Sequence, residues 1–315
     1  MRVTVLGGSG FIGTHLISAL QAAGHVVRNL DKAPSARHPE LSTLADVRDA
    51  EALQRLLGSS DCVINLAAEH GDQVRPIGLY GEVNVGGARN LVAALTAHGC
   101  QRLIYLSSAA VYGRQACADE RSRLQPDHPY GASKWQAEQI YQRWAQADGT
   151  RVLTLIRPCV VFGEGHRGNV RTLIEHLRDG RFVMVGRGQH RKSIAYVGNL
   201  VDFLLTRLDD APGVHVCNYA DTPALSTAEL VDRLRGLMKL PPSRLPALPY
   251  PLVRALLAPL DLYAALRGRE FGISGARVEK FCRESRLESV HPRPPARLSL
   301  DEALARTVAE ATARR

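Results

Sequence analysis

Apolar residues along this chain gather in short blocks, and the spacing inside each block predicts what it forms. Residues 2–6 (RVTVL) read as a strand that runs into the turn Gly7-Gly8-Ser9-Gly10-Phe11-Ile12-Gly13, after which helical spacing holds over 15–23. A second strand over 26–30 ends at Asp31. Asp46-Val47 precedes an amphipathic helix through Leu57, and 61–66 is a third strand closing on Leu66-Ala67-Ala68. A long helix over 80–97 carries Asn84; a strand over 102–107, a helix over 130–147 and a strand over 152–156 follow. Five strand–helix units at this spacing predict an α/β fold: a parallel sheet covered by helices on both faces, with right-handed crossovers. Ligands bind such sheets beyond the C-terminal ends of the strands, where Gly7, Asp31, Ala67, Ser108 and Arg157-Pro158 fall.

Past Gly163 the alternation loosens. The spacing predicts a helix over 169–179, a short strand over 182–185, an extended stretch at 194–197 and a helix over 200–208. Ser226-Thr227-Ala228-Glu229 has the form of a capping box, and 299–307 reads as a terminal helix. The expected organisation is a nucleotide-binding domain over 1–163 with a returning segment near 194–220. Residues 164–315 then form, in the main, a smaller C-terminal lobe. Residues 245–266 are the most apolar late stretch, but Pro246, Pro249, Pro251, Arg254, Pro259 and Asp261 interrupt it. Such a stretch cannot span a bilayer as a helix; it suits either the core of the lobe or a position on a membrane surface.

Composition changes this picture little. The 315 residues are 45% hydrophobic and 23% charged, ordinary for a globular protein with a substantial core. Six scattered cysteines show no close pair and eleven histidines no paired ligand spacing, so no metal is expected and reduced thiols suit a cytoplasmic location. The given sequence opens on a strand and glycine turn, so no signal peptide is expected. A net charge of +9 favours anionic partners, yet no run of five like charges and no aromatic-rich RNA-binding strands occur. No nucleic-acid partner is expected.

The chemistry concentrates in two places. Strand, glycine turn and helix are the setting in which Gly7 allows a tight turn, Gly10 lets backbone approach a pyrophosphate, and Gly13 lets helix and strand pack closely. An acid ending the next strand, Asp31, accepts hydrogen bonds from a ribose diol and repels a 2′-phosphate, which favours NAD over NADP. Lys32 and Arg37 follow it. The second place is 107–134. Tyr130 and Lys134 are one helical turn apart and share a face. A phenol ionises near pH ~10, and a neighbouring ammonium lowers that value enough to make it a general base. A serine hydroxyl at the end of the preceding strand can hold the same substrate oxygen.

These residues together (GGSGFIG, Asp31, Asp46-Val47, NLAA, Asn84, SSAAVYG, YGASK and Arg157-Pro158) resemble the extended short-chain dehydrogenase/reductases, in their NAD-dependent epimerase/dehydratase branch. The resemblance covers nearly the whole chain and implies a Rossmann doubly wound parallel sheet with a smaller C-terminal substrate-binding lobe. It implies NAD held by Gly7, Gly10, Phe11, Ile12, Gly13, Asp31, Asp46, Val47, Leu66, Ala67, Ala68, Asn84, Ser107, Tyr130, Lys134 and Pro158. It makes Ser108 the acid, Tyr130 the base and Lys134 the bridge to the nicotinamide ribose. Ser108, Asn169 and Lys192 are its substrate contacts, with Arg191 the alternative to Lys192 at a diphosphate.

Departures from the family narrow the reaction. Dehydratases of this family carry Asp-Glu after the serine, where this chain has Ala109 and Ala110, which transfer no protons; decarboxylating relatives also want an acid near 110. Epimerases need neither group. UDP-galactose 4-epimerases carry an asparagine near Val160, so the pyrophosphate side is expected to differ. The runs NLDKAPS, LAAEHGDQV, FGEGHRGNV and KSIAYVGN resemble a narrower subgroup that inverts C4 of N-acetylglucosamine on undecaprenyl diphosphate for O-antigen or related polysaccharides. The expectation is therefore a sugar 4-epimerase acting on a diphosphate-linked sugar, lipid-linked or UDP-linked, through a 4-keto intermediate. A homodimer and a cytoplasmic location, with peripheral membrane association at the inner face, go with it. The alternatives are an NAD-dependent dehydrogenase of another small or sterol-like alcohol, and a non-catalytic nucleotide-sensing or RNA-binding protein.

Overall fold

The structure is a computed structural model and describes residues 1–313 apart from 72–73, 167, 242–246, 268–274, 276–277, 280–281 and 293. Seven strands form the central sheet: β1 (Arg2–Leu6), β2 (Val26–Asp31), β3 (Ser42–Leu44), β4 (Cys62–Asn65), β5 (Arg102–Leu106), β6 (Val152–Pro158) and β7 (Gly213–Tyr219). Their order is β7-β6-β5-β4-β1-β2-β3 and every neighbouring pair is parallel. The order reverses beside β1, which pairs with β2 on one side and β4 on the other. Such a switch point opens a crevice at the strand C-termini, the usual place for a dinucleotide. Every residue of β4 and β6 is buried, as expected of strands covered on both faces. The sequence pattern missed the three-residue β3, too short to show a period, and offered β7 only as part of a returning segment near 194–220.

The helices are α1 (Phe11–Ala22), α2 (Ala50–Leu57), α3 (Gly87–Ala97), α4 (Pro129–Gln146), α5 (Asn169–Arg178), α6 (Val197–Thr206), α7 (Thr227–Leu237), α8 (Tyr250–Arg267) and α9 (Leu300–Ala313). The chain divides into two compact units. The first comprises Met1–Val161, Ala195–Ala220 and Leu287–Arg297; the second comprises Phe162–Ile194, Asp221–Arg286 and Leu298–Arg315. In the first, a core of Leu53, Leu91, Leu103, Tyr105, Tyr141 and Trp144 fills one face of the sheet, with the Tyr105 and Tyr141 ring centres 4.7 Å apart. At ~25 cal/mol per Å² of apolar surface removed from water, such aromatic burial dominates the packing energy.

Two expectations are corrected. The single helix over 80–97 is interrupted: Gly81–Gly86 is a π-helical stretch between a short turn and α3. The wider turn lets the Asn84 side chain leave the helix surface and bond to neighbouring segments, the usual association of π-turns with functional sites. The strand over 182–185 is absent. Only Val185 makes a bridge, to Leu248, and its flanking bonds (Leu248 N–H to the Met184 carbonyl, Gly186 N–H to the Leu248 carbonyl) close a pairing too short for a ladder.

In the second unit the Ser226 capping box is formed, its Oγ accepting from the Glu229 N–H at 3.1 Å while the Glu229 carboxylate accepts from the Ser226 N–H at 2.8 Å. Arg171 on α5 pairs with Glu310 on α9 at 2.8 Å, and Arg233 on α7 with Asp301 on α9. Helix α8 runs through Pro259, which removes one of its backbone bonds without ending it. Among the described residues no helix is long and apolar enough to cross a membrane, and no group of three metal-capable side chains gathers.

Candidate active site

Helix α1 starts immediately after the glycine turn and has neither a side-chain cap nor an acidic residue in its first turn. Its first N–H groups and positive dipole end are therefore offered to an anion. Two glycines are required for the shape: Gly7 sits at φ +76°, where an added Cβ would lie 2.6 Å from the Ala67 nitrogen, and a Cβ on Gly13 would lie 2.4 Å from the Gly8 Cα. The turn is pinned by Asn29, which the sequence reading did not select. Its buried side chain accepts from the Gly8 N–H (2.9 Å) and donates to Ser9 Oγ (3.0 Å) and Ser42 Oγ (2.9 Å). The available signal was an asparagine beside Leu30 near the end of the strand that pairs with β1.

Asp31 ends β2, one carboxylate oxygen accepting from the Ser9 N–H at 2.9 Å and the other from the Ala33 N–H at 3.0 Å. Both oxygens keep lone pairs for a diol. Lys32 faces Glu69 at 3.8 Å. Asp46 is engaged bidentately by Arg48, whose bond holds its carboxyl below the ordinary aspartate value. Asn65 turns back to accept from the Ala67 N–H (3.0 Å), which fixes the course of Leu66-Ala67-Ala68 beside Gly7.

Ser107 leaves β5 with a buried Oγ that has no hydrogen-bond partner. A buried hydroxyl without a partner is costly and marks a place for an absent ligand. Together with the bare α1 terminus and the glycine cradle, it shows that the residues present fit a dinucleotide. Ser108 caps the short turn Ala109–Tyr112, its Oγ accepting from the Ala110 N–H at 3.1 Å, which leaves the hydroxyl proton for a substrate oxygen.

Tyr130 and Lys134 lie in the first turns of α4, whose start is capped by His128 Nδ1 accepting from the Tyr130 N–H at 3.2 Å. The Tyr130 ring sits 6.4 Å from the Tyr80 ring. Lys134 is 1% exposed; its Nζ donates to the Leu106 carbonyl at 2.6 Å and lies 4.2 Å from the Tyr105 ring centre. Burial pulls its pKa down to about 7, against the attraction of Glu138. Asn84, expected at the cofactor, is held by protein partners on two neighbouring segments. It donates to the Glu69 carbonyl (3.0 Å) and Ser133 Oγ (2.8 Å) and accepts from the Glu69 N–H (2.8 Å). Ser133 in turn donates to the Tyr130 carbonyl at 2.8 Å. The buried Asn84 side chain thus ties the loop after β4 to the turn that carries the tyrosine.

Pro158 is the buried last residue of β6. Asn169 and Lys192 belong to the second unit: Asn169 is the exposed first residue of α5, and Lys192 Nζ donates to the Arg283 carbonyl at 2.9 Å. Arg191 pairs with Glu229 at 2.9 Å.

The sequence pattern of the NAD dependent epimerase/dehydratase family matches residues 3–218. The chain is 42% identical over 292 residues to the N-acetyl-α-D-glucosaminyl-diphospho-ditrans,octacis-undecaprenol 4-epimerase of Escherichia coli O157:H7, covering 91% of this chain and 87% of that protein. Its fold matches the NAD complex of UDP-glucuronic acid 4-epimerase from Bacillus cereus (TM-score 0.78, 17% identity, 99% of each chain). It also matches the NAD complex of Thermus thermophilus UDP-glucose 4-epimerase (TM-score 0.74, 23% identity, all of both chains). On sequence, fold and cradle alike, the chain belongs to the NAD dependent epimerase/dehydratase family.

Proposed function

We propose that this NAD-dependent 4-epimerase acts on a sugar carried by a polyprenyl diphosphate, interconverting N-acetylglucosamine and N-acetylgalactosamine through a 4-keto sugar. The observation that carries the reading is the 42% identity, over 91% of the chain, to an epimerase of an undecaprenyl-linked sugar. NAD, which the glycine turn, Asp31 and Ser107 would hold, would supply a hydride acceptor and donor for C4 of the sugar. Tyr130 removes and restores the 4-hydroxyl proton, and Ser108 donates a hydrogen bond to the same oxygen. Lys134 stabilises the Tyr130 phenolate and reaches the nicotinamide ribose; Ser107 supplies its free hydroxyl to the cofactor. Ala109 and Ala110 add no further acid or base, which suits a reaction that leaves C5, C6 and their substituents intact. In this reading the second unit holds the sugar diphosphate, with Asn169 and Lys192 as contacts.

The α8 helix supports a membrane-side location. Leu252, Leu256 and Tyr263 are 48%, 63% and 48% exposed and lie within about 40° of one another around the helix axis, a narrow apolar stripe. Two or three aliphatic side chains leaving water, at about 1.5–3 kcal/mol each, suffice for reversible attachment to a bilayer. A wider apolar rim drawn from Leu257, Leu260 and Leu262, with Arg267 and Arg269 at head groups, is not added to it: Leu257 is buried, and the side chains of the other four lie outside the described ones. Arg254 is exposed and 3.6 Å from Glu279. A homodimer completes the reading and is checked by light scattering. The deciding test compares N-acetylglucosamine on polyprenyl diphosphate and on UDP side by side. Turnover of the lipid-linked sugar with little of the UDP-sugar is expected; efficient UDP-sugar epimerisation with none of the lipid overturns the carrier.

A further inference from the structure

Helix α4 buries a second charge that the reaction as described does not use. Glu138 lies one turn beyond Lys134 and is almost fully buried. Arg157 near the end of β6 grips it with two bonds, Nε to Oε1 at 3.0 Å and Nη2 to Oε2 at 2.6 Å. The guanidinium also donates to the Tyr112 hydroxyl (2.8 Å), which donates to Asn218 Oδ1 (2.8 Å), while Asn218 Nδ2 donates to the Glu288 carbonyl (2.9 Å). Burial works against the Arg157 cation, yet the bond to Glu138 outweighs it and raises its pKa. The groups in this row alternate in the sign of the charge they can carry, in the order Lys134, Glu138, Arg157.

Stability alone does not account for such an arrangement. A buried ion pair is often no better than apolar side chains of the same volume, because desolvation cancels the attraction. What the pair does supply is a fixed negative charge one turn from a lysine whose surroundings disfavour its protonated form. The Tyr105 ring beside Lys134, and Tyr141 packed on that ring, add no charge of their own, because burial pushes both phenols above their ordinary value. From the packing we infer that Glu138, locked in place by Arg157, is a positioning residue that keeps Lys134 cationic and through it sets the ionisation of Tyr130. The inference rests on the tyrosine–lysine chemistry of the site and is independent of which carrier the sugar has.

The direction of one shift separates this from a direct effect. Glu138 is two turns from Tyr130 but one from Lys134. If the carboxylate acted on the phenol directly, removing it would favour the phenolate and lower the Tyr130 pKa. If it acts through Lys134, removing it discharges the lysine and raises the Tyr130 pKa. Titration of NAD-saturated protein by near-ultraviolet tyrosinate absorbance, with Tyr130→Phe as the blank, reads this without any substrate. Glu138→Gln is expected to move the Tyr130 titration up by about one pH unit, and to lower kcat about tenfold at the original optimum, the equivalent of that unit. Arg157→Lys keeps both charges, so the titration stays near its wild-type position while the melting temperature falls. Should Glu138→Gln fail to fold, the uncharged pair Glu138→Leu/Arg157→Met replaces it and is expected to show the same upward shift. A Tyr130 titration that is unmoved or lowered in the soluble variant overturns the inference. So does an Arg157→Lys shift as large as that of Glu138→Gln.

Discussion

Helices α4 and α8 are both eighteen residues long and break the ordinary rule of burial in opposite directions. Helix α4 takes Lys134 and Glu138 out of water, whereas α8 leaves Leu252, Leu256 and Tyr263 in it. Charged side chains are rarely buried unless paired, and contiguous apolar surface is rarely left exposed without a partner. Each departure costs stability, so each is kept for something other than folding. In the readings proposed above, the buried charges of α4 tune a tyrosine beside a cofactor and the exposed stripe of α8 meets a membrane surface. The contrast teaches that a deviation from the binary pattern identifies function more sharply than the pattern itself, which mostly reports packing.

The largest expected effect tests the α4 side. Tyr130→Phe removes only the hydroxyl that moves the proton, so turnover should fall about 10²–10⁴-fold with NAD affinity nearly unchanged. Lys134→Ala should lose turnover and NAD affinity together. Initial rates paired with calorimetric NAD titration give both readings, and near-wild-type turnover by Tyr130→Phe would remove α4 from the chemistry. The α8 side is next. Leu252→Asp/Leu256→Asp should lower partition onto anionic vesicles at least about tenfold, since each buried leucine contributes about 1.5–3 kcal/mol. Its melting temperature should hold, whereas Leu257→Asp, which places a carboxylate in the interior, should melt early. Vesicle sedimentation and thermal melts distinguish the two; equal loss of stability in both would make α8 a core helix.

If the buried charges of α4 serve NAD, the same protein should discriminate against NADP, because Asp31 repels the additional phosphate. A preference of about tenfold needs only ~1.4 kcal/mol. Tighter NADP binding in a calorimetric titration would instead assign Lys32 and Arg37 to the phosphate. A last expectation concerns stability and pH. In the folded chain without cofactor Lys134 titrates at about 7, against 10.5 for an unburied lysine, because burial penalises the cation. Between those values the unfolded chain binds the additional proton, so folded-state stability from this group rises with pH and is fully present only above 10.5. It is lost again as pH falls toward 7. Lys134→Met should flatten this part of the melting-temperature profile, and an unchanged slope would show that Lys134 titrates as an exposed lysine does.

Apart from Ser108, which the family resemblance supplied, the sequence by itself determined the alternation of strands and helices, the glycine turn, Asp31 at the end of its strand and the shared helix face of Tyr130 and Lys134. All of these rest on local spacing: a strand buried on both faces is continuously apolar, a tight turn needs glycine, and groups four residues apart share a helix face. It did not reveal Asn29 behind the glycine turn, the π-helical detour that frees Asn84, or the Glu138–Arg157 pair, whose members are 19 positions apart. Nor did it separate Leu256 from Leu257, adjacent leucines of which one is 63% exposed and the other 9%. These were decided by tertiary structure. A hydrogen bond or a burial depends on what the sheet brings against a residue from elsewhere in the chain, and spacing along the chain carries no record of that neighbour.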